Sequence, residues 1–116
     1  MASMRREAAK LLWDAREAAD RLARFVGQHS LDSYLGDEVV RSAVERQLEV
    51  IGEALGRLRA LDPDVARRVP RLQQLVAFRN FLLHQYGDSD SRLVWDVVKT
   101  RLPALREALR TLLPEG

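Results

Sequence analysis

The chain has 116 residues, enough for one domain with its own core. Hydrophobic residues make up 47% and charged residues 31%, and nineteen basic against seventeen acidic residues leave a net charge of +2. This composition excludes a disordered chain and carries too little charge to announce a polyanion-binding protein by itself. With no cysteine, disulfides, thiolate metal sites and cysteine nucleophiles are excluded. Only His29 and His84 could offer imidazoles, so neither a metal nor a cofactor is expected.

The pattern is helical from end to end. Ala8, Leu11, Leu12, Ala15, Ala18, Ala19, Leu22, Phe25 and Val26 recur at three- and four-residue steps, which predicts a first amphipathic helix. Gly27 and the run His29-Ser30-Leu31-Asp32-Ser33 read as its stop. Asp37 is placed to cap a second helix, with Val40, Ala43, Val44, Leu48, Ile51, Ala54, Leu55, Leu58 and Leu61 as its apolar face. Asp62-Pro63 ends that helix and can open a short helical turn. A third helix is expected to open at Pro70, with Leu72, Leu75, Val76, Leu82 and Leu83 as its stripe. Gly87-Asp88-Ser89-Asp90-Ser91 reads as a loop, and a last helix runs from about Arg92 through Leu112, with a kink expected at Pro103.

These elements predict an all-α, up-and-down four-helix bundle with one extra short helix, in a single domain over residues 1–116, with apolar surface to spare for a dimer contact. No apolar run approaches the roughly 18 residues that span a bilayer. The stretch Met1–Glu7 leads into no signal core. The expected location is the cytoplasm, with no membrane partner.

Most residues are accounted for as core or solvated surface, but the third helix is not. On a helical wheel Arg79 falls on the stripe of Leu72, Val76 and Leu83, where an unpaired charge is costly. Tyr86 follows on the same line, and Asn80 and His84 share a flanking one. One reading is structural: a neighbouring helix satisfies Arg79, with Gln47 as a candidate partner, and His84 sits in a last turn favoured by the helix dipole. The other is a site. Five residues apart, Arg79 and His84 diverge by about 140° on a straight helix, so acting together requires the helix to end near Gly87 or a second copy to complete the site. Elsewhere, Gly52 and Gly56 suggest a close helix approach. Glu53 lies opposite the apolar stripe, free to face a second subunit. Trp13 and Trp95 read as packing residues. No P-loop, dinucleotide-binding glycine pattern or Ser-His-Asp spacing is present.

The segment Arg79-Asn80, then His84 and Tyr86, resembles the Arg-x4-His-x-Tyr signature of HEPN-domain toxins of the HepT type. Ala43–Ala54, with its Ile51-Gly52-Glu53-Ala54 end, and the downstream Val94-Trp95 and Leu102–Leu105 are similar to family positions as well. The resemblance runs in order from about Arg16 to Leu113. It implies a dimeric or higher even-numbered helical assembly that cuts RNA without metal. Such toxins are paired with a small nucleotidyltransferase antitoxin of the MntA type. By position, Arg79 and His84 would be the catalytic pair and Asn80 the supporting polar residue. Tyr86 would be the hydroxyl that receives adenylate. The alternative implied by the same resemblance is a non-catalytic partner module of a nucleotidyltransferase. A helical adaptor in which Arg79 and His84 only hold the fold is the remaining alternative.

Overall fold

The computed structural model describes residues 4–84 and 91–113. Six helices follow one another among them: α1 (Arg6–Gly27), α2 (Leu31–Leu35), α3 (Glu38–Leu61), α4 (Pro63–Ala66), α5 (Leu72–Leu83) and α6 (Ser91–Leu112). The four long helices are those expected, and two short ones, not one, fill the connections.

The long helices form because their apolar residues keep a 3.6-residue period, so each has one face to bury. In α1 that face is Ala8, Leu12, Ala15, Ala19, Leu22 and Val26, and in α3 it is Val44, Leu48, Ile51, Leu55 and Leu58. Ala8, Ala15, Ala18 and Ala19 are completely buried; small side chains there let the neighbouring backbones approach. Each buried leucine contributes roughly 1.5–3 kcal/mol over leaving it in water.

Helix α3 is the centre of the packing, with α1 on one side and α5 on the other, while α6 lies against α1. The contacts run antiparallel. Gly52 faces Arg79 and Leu75, and four residues later Gly56 faces Val76. Between α1 and α6, Arg106 Nε donates to Asp20 at 3.0 Å. The result is the expected up-and-down bundle.

The local punctuation differs from the reading of the sequence in three places. The run after Gly27 stops α1 but also starts α2. The Ser30 hydroxyl accepts from the Ser33 N–H at 3.1 Å, and the Ser33 hydroxyl from the Ser30 N–H at 2.9 Å. This reciprocal pair is a capping box with serine in the place usually held by glutamate. Second, Pro70 does not open a helix. It lies in a turn, and α5 begins at Leu72 behind Arg71, which adopts the left-handed conformation at φ 57° and ψ 31°. Third, Leu83 is 49% exposed, so it leaves the stripe assigned to it. The buried line of α5 is Leu72, Leu75 and Leu82. Asp37 and Asp62 cap α3 and α4 through Val40 N–H and Val65 N–H. Pro103 lies within α6, which continues past it to Leu112.

Candidate active site

Arg79 falls between Leu75 and Leu82 on the line of α5 that faces α3. A side chain as long as arginine fits there because position 52 of α3 is glycine. A Cβ at Gly52 would stand 2.3 Å from Arg79 Cβ and 2.9 Å from its Cγ. The arginine stem therefore crosses the glycine and carries the guanidinium to the rim of the bundle. There Nη2 donates to Glu53 Oε1 at 3.1 Å. The side chain is 31% exposed and that of Glu53 50%. Glu53 also lies 3.9 Å from Arg57 Nε, one turn further along α3.

The partner expected from the sequence is Gln47. Glu53 takes that role instead, and the Oε1 of Gln47 is buried with no hydrogen bond among the described residues. The wheel places Glu53 away from the α3 core, correctly. It misses that α5 reaches over the rim at Gly52. The available signal is the glycine itself, since the residue beside a close-approach glycine stands nearest to whatever crosses it. Glu53 thus faces Arg79 of its own chain.

Arg79 Nε is buried and unpaired among the described residues. A buried N–H without an acceptor costs about 1–3 kcal/mol, so this guanidinium is held with a donor still to be satisfied. It helps to line a cleft of about 340 Å³ between α1 and α3, whose walls include Trp13, Arg46, Glu49 and Glu53. Trp13 is 44% exposed, with Lys10 Nζ 5.6 Å from its ring centroid. Trp95 packs instead on the buried Tyr34, with ring centroids 5.1 Å apart.

His84 is the C-cap of α5, with φ −117° and ψ 8°, and its N–H bonds to the Phe81 carbonyl. The helix thus ends at Leu83, with His84 as the residue that closes it. Its side chain is exposed, as is that of Asn80. Next to it along the chain stand exposed apolar residues, Phe81 and Leu83, with Phe81 stacked on Phe78 at 5.4 Å. The structure therefore places Arg79 on a paired, half-buried anchor and His84 exposed at the end of the same helix. Tyr86 lies outside the described residues. No cluster of three or more candidate metal-binding side chains occurs among the described residues, and no helix there is long and apolar enough to cross a membrane.

An all-α bundle with an arginine anchored in a cleft and a histidine at its helix end is the architecture expected of a HEPN-type protein. Residues 15–112 match the model of the HepT-like family, described as ribonuclease HepT-like; the chain belongs to that family. It is 30% identical to the candidate RNase MJ1380 of Methanocaldococcus jannaschii over 89% of this chain and 94% of that protein. It is also 30% identical to a protein named probable ribonuclease HepT from Thermococcus cleftensis, over 89% of this chain and 93% of the relative. A second candidate RNase of M. jannaschii, MJ1216, is 26% identical over 96% of this chain and 91% of its own. No solved structure matches the chain.

Proposed function

We propose that the chain is the toxin of a toxin–antitoxin pair, a cytoplasmic, dimeric endoribonuclease that cuts RNA without a metal ion. The observation that carries this reading is Arg79: a guanidinium fixed by Glu53 and partly exposed on the wall of a cleft. Such a group suits a phosphate in transition, where negative charge grows on the non-bridging oxygens.

In the proposed reaction the RNA 2′-oxygen attacks the adjacent phosphorus and the bond to the 5′-oxygen breaks. A cyclic phosphate and a 5′-hydroxyl result. One base takes the 2′-hydroxyl proton and one acid gives a proton to the leaving oxygen. Histidine can serve either role near neutral pH, and a twofold dimer brings two copies of His84 and Arg79 to one cleft. The exposed Phe81 and Leu83 beside His84 supply apolar surface for such a contact. The supporting polar group is Asn80.

Silencing is proposed to occur at Tyr86. Its hydroxyl attacks the α-phosphorus of a nucleoside triphosphate on an MntA-type nucleotidyltransferase. Adenylate is transferred and pyrophosphate leaves. The added nucleotide is bulky and anionic, and both properties oppose RNA entry.

The test is RNA cleavage by the purified chain in EDTA, beside a His84→Ala variant, with Tyr86 shown unmodified by mass spectrometry. Cleavage by the first alone supports the reading. No cleavage by either moves the assignment to a non-catalytic partner of a nucleotidyltransferase.

A further inference from the structure

We propose that the pocket where α4 meets α5 is a phosphate-binding subsite for the RNA strand, separate from the Arg79 cleft. The inference rests on the ribonuclease reading above. The pocket has a volume of about 530 Å³ and draws an arginine from each of three segments: Arg59 from α3, Arg67 after α4 and Arg71 before α5. Gln73 and Gln74 supply its other polar wall, and no carboxylate of the described residues lines it.

Some arginines of the surface meet carboxylates, as Arg46 does with Glu49, Arg57 with Glu53, Arg106 with Asp20 and Arg110 with Glu107; what sets this pocket apart is that three arginines line one hollow that no described carboxylate lines. Around the pocket only Arg67 has one, Asp64. Asp62 is close in sequence, but its carboxylate accepts the Val65 N–H at 3.2 Å. Arg59 and Arg71 have no carboxylate partner among the described residues; Arg71 has only a 3.5 Å contact from Nη1 to Gln74 Oε1. Arginines that line a hollow and lack a neutralising acid, as Arg59 and Arg71 do among the described residues, favour an anion there, and their forked donors match phosphate oxygens.

The position suits a strand that also reaches Arg79. Pocket and cleft adjoin successive stretches of the same α3–α5 seam, with Gly56 against Val76 between them. Arg71 and Arg79 are eight residues apart, roughly 12 Å along a helix rising 1.5 Å per residue. A short single strand of RNA spans that distance.

The experiment titrates the unmodified chain with a 2′-O-methyl RNA oligonucleotide, which cannot be cut, across a series of salt concentrations. Arg59→Gln and Arg71→Gly are measured alongside Arg24→Gln, an exposed arginine of α1, as control. Each pocket variant is expected to bind several-fold more weakly. Its slope of log affinity against log salt is expected to fall by about 0.7 for each phosphate that is no longer neutralised. The control is expected to behave as the parent. Arg71→Gly separates binding from folding, because glycine suits the left-handed backbone at that position; its melting temperature is expected to equal or exceed the parent's.

Parent-like affinity and slope in both pocket variants would overturn the proposal and leave the ribonuclease reading standing. Binding of inorganic phosphate that depends on Arg71, without RNA binding by the parent, would overturn the RNA assignment. No RNA binding and no RNA cleavage by the parent would remove both readings.

Discussion

Gly52 and Arg79 share one space: a Cβ on the glycine would fall 2.3 Å from the Cβ of the arginine. The absence of a single methyl group on α3 thus decides where the guanidinium of α5 goes, and the next residue, Glu53, receives it at 3.1 Å.

Gly52→Ala is therefore expected to destabilise the protein. The helix gains about 1 kcal/mol of propensity, and forcing extra atoms into a packed contact costs typically 1–3 kcal/mol. Here the obstacles include the stem of Arg79 and the Leu75 carbonyl at 3.3 Å, so a net loss of roughly 1–2 kcal/mol is expected. Gly56→Ala is the contrast. Its Cβ would meet Val76 methyls at 3.7 and 3.9 Å, an ordinary contact, and a gain of about 0.5–1 kcal/mol is expected. Urea denaturation of the two variants checks the opposite signs.

Arg79→Ala tests whether the arginine holds the fold or the substrate. Both members of its ion pair are partly solvated, and pairs of that kind contribute about 0–1 kcal/mol. Removing the arginine leaves Glu53 reachable by water, so no bare buried charge remains. The variant is expected to stay folded, with a double-mutant cycle against Glu53→Gln giving less than about 1 kcal/mol of coupling. Cleavage is expected to fall by roughly 10²–10³-fold, the usual loss for one transition-state donor. A loss of several kcal/mol in stability, together with normal RNA cleavage, would assign Arg79 to the fold.

Alkaline stability should report on Tyr34. Its ring is fully buried, and its hydroxyl has no partner among the described residues. Burial, first, and the Glu45 carboxylate, second, push its pKa from 10.0 up to about 12, with Arg41 opposing. Below pH 10 both folded and unfolded chains hold this proton, and stability does not respond to it. Between pH 10 and about 12 the unfolded chain releases the proton and the folded chain keeps it, so stability falls with rising pH, by up to about 2 kcal/mol. Tyr34→Phe is expected to remove that decline and to cost little at pH 7, since the lost hydroxyl makes no hydrogen bond among the described residues. Melting temperatures of both proteins from pH 8 to 12 test the sign.

Ser30→Ala removes one half of the reciprocal cap of α2 and exposes its first turn. A loss of about 1 kcal/mol is expected. If α2 matters mainly through Tyr34, which it delivers to the core beside Trp95, the same variant should also loosen that aromatic pair. Near-ultraviolet circular dichroism reads the change.

The amino-acid order alone determined the long helices, because an apolar stripe at a 3.6-residue period has one way to be buried. It also marked Arg79 as anomalous and, through the Arg79, His84 and Tyr86 spacing, pointed to the family that the match over residues 15–112 establishes. It assigned Ser30 and Ser33 to a stop, since two serines three apart announce a cap only when each hydroxyl finds the other's backbone N–H. It placed Leu83 in the core, whereas in the last turn of α5 Leu82 is the residue that is buried and Leu83 faces outward. Only the tertiary structure decided which carboxylate meets Arg79 and which arginines gather at the α4–α5 corner. Both depend on contacts between segments far apart in the chain, and helical periodicity fixes the direction of a side chain around its own axis but not which neighbouring helix it meets.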